Sequence, residues 1–415
     1  MDEKKIFDVW KTREDFPLLK TTMNGHPLTY LDTAATAQKP AIVVDAMSRF
    51  YQERYGTVHR SVYELAAYST QSYSVVREKV KEFIGAKEEE EIVFTKGTTD
   101  SINLVASSYG RLFLQEGDEI IISEMEHHSN IIPWQLLCKE KKCLLKVIPI
   151  TGEGEIIFTE YENLLSTKTK LVCVAHISNV LGTINPIKEI VEKAHEYGAK
   201  VLVDGAQAAA HLIVDVKDLD VDFYAFSAHK MYGPTGVGVL FGKKELLEKM
   251  PPVSGGGDMV ETVTFESATF QPSPLKFEAG TPNIAGVIGL GVAIDYLNSL
   301  GRETLIEWEQ KLLKESMKKI LEIENIKVVG TAEHKASVIS FCVEGVHPLD
   351  LGTILGLKGI ALRTGHLCAE PLLKRLGYES LSRVSFGLYS TPEDFDVFLH
   401  SLEEAVSLLS PIASY

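Results

Sequence analysis

The chain has few cysteines, no block of basic residues and no long apolar run. Its five cysteines are an odd number without the CxxC spacing of a zinc or redox motif, so we expect reduced thiols. Cys173 and Cys342 lie in strand-like runs and are expected to be buried, and only Cys368 lies in a polar, glycine-containing turn. The formal net charge of −15 argues against nucleic acid or an anionic membrane as a partner.

The N-terminal residues are too charged for a signal peptide and too acidic for a transit peptide. No apolar run approaches the length of a membrane span. These features together predict a cytoplasmic protein that does not bind a membrane.

The length and composition indicate a folded protein with a large core. Hydrophobic residues make up 45% of the 415 residues, which predicts two domains, or one large domain with a smaller one appended. In the first part of the chain, strand-like runs alternate with helical spacing, which predicts an α/β unit with a largely parallel sheet. The C-terminal part predicts a smaller α+β unit, with strands near 326–330, 337–343 and 382–386 and helices near 348–358 and 392–409.

A lysine follows the end of a predicted buried strand. The apolar run that begins at Val221 stops at Ser227, and Lys230 comes just before a glycine-containing loop. Desolvation lowers the pKa of such a lysine toward the range in which its neutral amine attacks a carbonyl, as a Schiff-base lysine does. An ordinary solvated lysine is the alternative that this short segment leaves open.

A second aliphatic run ends in a carboxylate at Asp204 and an amide at Gln207. The interval from Asp204 to Lys230 leaves room for a helix and a strand, which predicts that the two strand ends lie side by side in the crevice where α/β sheets bind ligands. Asp204 alone fits a helix N-cap, a metal ligand or the partner of a pyridinium nitrogen. An acid and a lysine in one crevice are what pyridoxal phosphate requires.

The turn Lys96–Asp100 lies between a predicted strand over 91–95 and a predicted helix that begins near Ser101. Free backbone N–H groups and the helix dipole at such a position favour a phosphate, and Thr98 and Thr99 add hydroxyl groups. A plain helix N-cap and a nucleotide site stay open as alternatives, although the lysine of a P-loop is missing.

Two other predicted strands are followed by polar side chains. His127 and His128 follow the strand over 118–123, and Asn179 follows the strand over 171–176. Adjacent histidines usually point apart, so we predict no metal site. A surface histidine stays open as the alternative for both, most of all for His128, and a helix-capping amide for Asn179.

These motifs resemble the pyridoxal-phosphate site of the class V aminotransferase family. Ser227-Ala-His-Lys230 and Asp204-Gly-Ala-Gln207 carry this likeness, and Arg363-Thr-Gly-His-Leu-Cys-Ala369 is similar to the SufS-type cysteine desulfurases, the NifS-like group II. The likeness runs from Leu31 to the last predicted helix. One departure is His366-Leu367, where the family often has two histidines.

The resemblance implies a pyridoxal-phosphate transferase of fold type I. Its large domain has a mostly parallel sheet between helices, and its small C-terminal domain is α+β. We expect residues 1–30 to form an N-terminal segment that packs with the small domain, residues 31–290 to form the large domain, and residues 291–415 to form the small domain with the catalytic cysteine.

The resemblance also implies roles for individual residues. The expected catalytic residues are Lys230, Cys368 and His127, and His127 is expected to stack on the pyridine ring. The expected cofactor-binding residues are Thr98, Thr99, His127, Asp204, Gln207, Ser227, His229, Lys230 and Thr281. The expected substrate-binding residues are Asn179, Arg363, Arg383 and Arg60. Thr281 is expected to reach the cofactor phosphate of the partner subunit in a homodimer with shared active sites.

The implied reaction converts L-cysteine to L-alanine and leaves the sulfur as a persulfide on Cys368, for iron–sulfur cluster assembly. A sulfur-acceptor or activator protein is then an expected partner. Selenocysteine lyase, cysteine sulfinate desulfinase and other class V aminotransferases are alternatives with the same cofactor. A silent scaffold and a nucleotide-binding protein are alternatives from other classes. His59 and Arg60 are candidates for the substrate entrance or for a solvated turn. His347 lies near the cysteine segment, and we expect it to cap the helix that follows it, with contact to the partner protein as the alternative.

Overall fold

The computed structural model describes residues 7–409, and a seven-stranded sheet forms its centre. The strands are β1 (Thr22–Met23), β2 (His26–Pro27), β3 (Thr29–Tyr30), β4 (Ile92–Thr95), β5 (Glu119–Ser123), β6 (Leu144–Ile148), β7 (Thr169–Ala175), β8 (Lys200–Asp204), β9 (Phe223–Ser227), β10 (Gly238–Gly242), β11 (Val260–Val263), β12 (Ala268–Phe270), β13 (Ile326–Val329), β14 (Val338–Val343), β15 (Ile360–Ala361), β16 (Arg363–Gly365) and β17 (Leu381–Ser385).

The helices lie on both faces of this sheet and around a second one. They are α1 (Val9–Arg13), α2 (Ala41–Arg49), α3 (Glu64–Phe83), α4 (Thr98–Val105), α5 (Arg111–Phe113), α6 (Ile132–Lys141), α7 (Phe158–Leu164), α8 (Ile187–Glu196), α9 (Ala208–His211), α10 (Lys244–Lys249), α11 (Ile284–Leu300), α12 (Arg302–Ile320), α13 (Pro348–Leu357), α14 (Glu370–Arg375) and α15 (Pro392–Leu409).

The large sheet has the strand order β4-β10-β9-β8-β7-β5-β6, and β10 alone among these runs antiparallel to its neighbours. Side chains alternate between the two faces, as the pleat requires. In β7, Val172 and Val174 join the core under α3, α8 and α11, whereas Leu171 and Cys173 join the core under α4 and α6. A sheet that is apolar on both faces must be covered on both sides, which explains the near-continuous apolar runs in the sequence.

The ends of β8 and β9 lie side by side, as the interval between Asp204 and Lys230 predicted. The two strands are parallel neighbours, and Asp204 pairs with Ala225. The predicted mostly parallel sheet between helices is therefore confirmed.

The C-terminal sheet is antiparallel, with the order β13-β14-β17-β16. Its core lies against α12, α13 and α15, and it includes Leu31 from the start of the chain. The short strand β3 pairs in parallel with β15, and Asp32 forms a bridge with Ser385. The predicted boundaries of the three units stay a prediction, and residues 1–6 and 410–415 of the first and last units lie outside the described residues.

One local prediction needs correction. The helix after the turn Lys96–Asp100 begins at Thr98 rather than near Ser101, because the Ser101 N–H donates to the Gly97 carbonyl at 3.0 Å and closes a first helical turn that contains both threonines. The Asp100 carboxylate accepts the Lys96 N–H at 3.0 Å and adds to this turn. The glycine- and proline-rich stretch after Phe241 contains the exposed hairpin of β11 and β12.

Within residues 7–409, no single helix is long and apolar enough to cross a membrane, although the bent pair α11 and α12 passes that test of length and composition together. No cluster of three or more His, Cys, Asp or Glu side chains suited to a metal ion occurs in the same part of the chain.

Candidate active site

A cavity of about 280 Å³ lies between the carboxyl ends of the large-sheet strands and the strands β16 and β17 of the C-terminal sheet. Most of the predicted site residues line it: Thr98, Thr99, His127, Asn179, Asp204, Gln207, Ser227, His229, Lys230, Arg363, Cys368 and Arg383. We call the side formed by Thr98, His127, Asp204, Ser227 and Lys230 the cofactor wall. Ligand sites in α/β folds occur at this end of the strands.

Lys230 ends a short helical turn that directly follows β9, and it is half-buried. Burial lowers the pKa of Lys230; the Asp204 carboxylate opposes this shift, and the guanidinium of Arg383 adds to it. The backbone before it is held firmly, because the carbonyl of His229 accepts hydrogen bonds from the Ala37 N–H at 3.0 Å and from Lys39 Nζ at 2.9 Å. The site thus holds an amine in a fixed place and favours its neutral, nucleophilic form.

Asp204 is the last residue of β8, and its side chain is buried. Its Oδ1 accepts the Ala206 N–H at 2.9 Å, and no salt bridge joins it to another described residue. Burial raises the pKa of Asp204, while that hydrogen bond and the Lys230 ammonium oppose the rise. A buried carboxylate without a contacting cation is unfavourable, so this position fits a group that brings a positive charge, such as a protonated pyridine nitrogen.

The first turn of α4 supplies hydroxyl groups and helix N–H groups at one end of the cavity. The Ser227 hydroxyl accepts the Thr98 N–H at 2.7 Å and lies 2.7 Å from Thr98 Oγ1. Thr99 Oγ1 lies 2.7 Å from Ser129 Oγ, a residue that sequence reasoning did not single out. This arrangement fits a phosphate group at the positive end of a helix.

His127 lies after β5, and its Nδ1 accepts the Ser129 N–H at 3.0 Å. The proton of the neutral ring is therefore on Nε2. Burial lowers the pKa of His127 to about 3, and the charge of Lys230 adds to that shift. The ring is uncharged at neutral pH, which suits a flat apolar contact with an aromatic cofactor.

Gln207 and His229 complete the strand-end part of the lining. Gln207 Nε2 donates to the Ala34 carbonyl at 2.8 Å, and so fixes the small-residue segment that forms part of the cavity. His229 Nδ1 lies 3.1 Å from Thr36 Oγ1, and burial lowers the pKa of His229 to about 4.

Arg383 lies on β17 with its side chain almost fully buried. It donates to the Asn179 carbonyl at 2.9 Å and to Asp32 Oδ1 at 3.1 Å, and its Nε has no hydrogen-bond partner among the described residues. Arg363 faces it across the strand pair. Two guanidinium groups and a free donor beside one cavity suit a carboxylate ligand.

The loop of residues 366–369, which we call the cysteine loop, carries Cys368 into the cavity. Cys368 is exposed, with φ of 55°, and Leu367 before it has φ of 53°. The other four cysteines are buried or half-buried. Burial raises the pKa of Cys173 well above its ordinary value, so that thiol is the inert, apolar group that its strand predicted.

The structure does not bring Thr281 or Arg60 to this cavity within one chain. Both are exposed, and Arg60 Nε lies 3.4 Å from Asp258 Oδ1. Their predicted roles at the partner's site and at the site entrance stay predictions. His347 caps α13, as expected, because its Nδ1 accepts the Leu349 N–H at 3.2 Å.

Sequence reasoning missed Asp32 and Lys39. Asp32 pairs with Arg383, and Lys39 holds the carbonyl of His229. The signal for Asp32 was an acidic residue beside a run of small residues, and nothing local marked Lys39.

The Aminotransferase class-V family model matches residues 29–398. The chain belongs to this family. Its expected cofactor, pyridoxal phosphate, is therefore the cofactor of this chain, and the buried acid, the strand-end lysine and the helix N-terminus fit that group. Among these residues Lys230 would hold the aldehyde, Asp204 the ring nitrogen, and Thr98 and Ser227 the phosphate.

Similar proteins cover nearly the whole chain. A protein of Halalkalibacterium halodurans named probable cysteine desulfurase is 50% identical over 389 residues, 94% of this chain and 96% of that protein. One of Mycolicibacterium paratuberculosis with the same name is 48% identical over 97% of this chain and 58% of that protein. The apo structure of the cysteine desulfurase from Thermococcus onnurineus superposes with a TM-score of 0.92 at 38% identity, over 99% of this chain and 100% of that one.

The relatives differ in length. The chain spans 58%, 62% and 65% of three relatives that it matches, and 96 to 99% of five others.

Proposed function

We propose that this chain is a cysteine desulfurase, which binds L-cysteine, releases L-alanine and holds the sulfur as a persulfide on Cys368. The observation that carries the proposal is the position of Cys368, an exposed thiol that lines the same cavity as Lys230 and Arg383. The relatives named cysteine desulfurase support it.

Each group of the site has a distinct part in this reaction. The bound cofactor supplies an electron sink for the substrate's Cα. Arg383 holds the substrate carboxylate, with Arg363 as a second cation beside it. Lys230, whose pKa is lowered by burial, takes and returns the Cα proton. Cys368 Sγ accepts the substrate sulfur.

The placement of the thiol matters more than its acidity. Lowering a thiol pKa from ~8.5 to ~7 raises the thiolate fraction at pH 7 about sixteenfold, but it lowers nucleophilicity about fivefold. The net gain is only about threefold. Oriented groups reach effective molarities of ~10⁵ M or more, so the position of the cysteine loop is the larger source of rate.

The same cofactor chemistry on selenocysteine or cysteine sulfinate is not favoured. Removal of selenium or sulfite does not require a protein thiolate, whereas this cavity presents one next to the substrate cations.

We also propose the SufS-type group II class, with iron–sulfur cluster assembly as its use, a homodimer, a sulfur-acceptor protein and a cytoplasmic location. The exposure of Cys368 supports an acceptor, because a persulfide there is within reach of another protein.

The homodimer is supported by aromatic side chains that are exposed in one chain and leave apolar surface uncovered, namely Tyr51, Tyr55, Tyr63 and Phe265. We propose that the large domain is built on the seven-stranded sheet and the small domain on the C-terminal sheet.

The variant Cys368→Ala tests the function. The holoenzyme should stay yellow and should still change its absorbance with L-cysteine, yet release almost no alanine and carry no persulfide. Cys342→Ala, at a half-buried cysteine, is the matched control and should keep both the release of alanine and the persulfide on Cys368. Alanine release at the wild-type rate, or a persulfide mapped by mass spectrometry to another cysteine, would overturn the proposal.

A further inference from the structure

The helix that follows the cysteine loop begins without a cap of its own. Helix α14 starts at Glu370, and the residue in its N-cap position is Ala369, which has no side-chain acceptor. The acceptor comes from another part of the chain, because His128 Nε2 accepts the Glu370 N–H at 3.0 Å. A capping acceptor of this kind fixes where a helix begins.

His128 also binds the loop through its backbone. Its N–H donates to the Cys368 carbonyl at 2.8 Å, and Asn179 Nδ2 donates to the Leu367 carbonyl at 2.7 Å. Leu367 and Cys368 are both in the left-handed region, which is unfavourable for side chains with a Cβ. Such a conformation persists only where surrounding contacts enforce it. His128 holds the chain at the Cys368 carbonyl and two residues after it, and Asn179 holds the residue before the thiol.

The two adjacent histidines have separate tasks. His127 lines the cavity, whereas His128 lies outside its lining and is half-buried against the loop. Because His128 Nε2 accepts a hydrogen bond, its ring proton is on Nδ1 in the neutral form.

We propose that His128 is a positioning residue for sulfur transfer, which holds the cysteine loop so that Cys368 Sγ faces the substrate sulfur. This inference rests on the proposed function. His128 makes no contact with the reacting atoms. Without the imidazole the loop loses its link to Glu370, and the thiol spends less time in the reactive position.

The test compares His128→Phe with His128→Gln as holoenzymes. Phenylalanine keeps a ring but removes the acceptor, whereas glutamine can place Oε1 near the position of Nε2. We expect kcat for alanine release to fall about tenfold in His128→Phe, with KM for L-cysteine within twofold of wild type and the cysteine-induced absorbance change intact. His128→Gln should recover most of kcat. Amide hydrogen exchange in a peptide that contains residues 366–371 should accelerate in His128→Phe and return toward wild type in His128→Gln.

The matched control is His347→Phe. It removes a histidine that also caps a helix, α13, but that lies outside the cavity lining, and it should leave kcat unchanged. His128→Ala replaces His128→Phe if that variant does not fold, with the same expectations.

The outcomes separate the two proposals. If wild type forms a persulfide on Cys368 but His128→Phe keeps kcat within twofold, or His128→Gln fails to recover it, the positioning role is wrong and the function stands. If wild type releases no alanine from L-cysteine, both are wrong.

Discussion

The two sides of the cavity are built in opposite ways. The cofactor wall consists of residues at the ends of hydrogen-bonded strands and of a helix, and most of its side chains are buried. The cysteine loop is short, its thiol is exposed, and two successive residues have positive φ. The difference teaches that the wall keeps its ionisable groups away from water, whereas the loop leaves its thiol open to solvent, as the proposed sulfur transfer requires.

Electrostatics show the same contrast. Burial lowers the pKa of Lys230 below its ordinary value, and it lowers the pKa of His127 to about 3. Cys368 instead lies at an open surface and depends on hydrogen bonds from His128 and Asn179 for its position. The loop is therefore positioned by residues that follow the strands of the large sheet.

The change with the largest expected effect removes the amine of the wall. Lys230→Ala should bind the cofactor without a covalent link and lose turnover by about 10⁴-fold or more, since both the attachment point and the proton carrier are gone. Borohydride reduction followed by peptide mapping checks the attachment, and Lys188→Ala on the surface is the control. A reduced adduct on another lysine would show that the wall was assigned wrongly.

Asp204→Asn keeps the shape of the wall but removes its charge. A contact at ~4 Å with an effective dielectric of ~20 is worth about 4 kcal/mol, so we expect kcat to fall by about 10²- to 10³-fold. Burial raises the pKa of Asp204, so the ionised carboxylate destabilises the cofactor-free protein as pH rises above the unfolded-state value. The cofactor-free variant should thus unfold at a higher temperature than cofactor-free wild type at pH 7.

Thermal unfolding of both proteins, with and without the cofactor, measures this difference in unfolding temperature. Asp218→Asn on the surface is the control. Near-normal turnover with bound cofactor would place the partner of the ring nitrogen elsewhere.

The smallest expected effect concerns His176, which is buried behind the cofactor wall. His176 follows β7, lies 3.0 Å from the Tyr224 hydroxyl through Nδ1, and burial lowers its pKa to about 4. Since its folded pKa lies below the unfolded value of ~6.5, its stabilisation is complete above that pH and is lost as pH falls toward 4. Between pH 7.5 and pH 5, wild type should lose about 2 kcal/mol more free energy of unfolding than His176→Phe.

Urea unfolding at the two pH values measures this difference. Equal losses in wild type and His176→Phe would show that water reaches His176.

The wall was predictable from sequence because its signals are local. A buried strand followed by Asp204 or by Lys230 is visible within ten residues, and parallel strands bring such ends together. The long-range contacts that hold Arg383 and the cysteine loop were not predictable in the same way. Asp32 pairs with Arg383 across 351 residues, and His128 caps Glu370 across 242. Periodicity in the sequence does not reveal a hydrogen bond between such distant positions. Because the capping acceptor belongs to His128, the sequence at Ala369 shows no capping residue.

The pairing of Asp32 with Arg383 also sets an order of events during protein synthesis. At a translation rate of about 5–20 residues per second, the two residues leave the ribosome about 20–70 s apart. Through that interval the small-residue segment next to Asp32 has no C-terminal sheet to join, whereas strands β4 to β10 are all synthesised before the interval ends. A nascent chain can therefore assemble Lys230 and Asp204 well before Arg383 is present. A chain that terminates before residue 383 lacks the arginine that we propose to bind the substrate carboxylate.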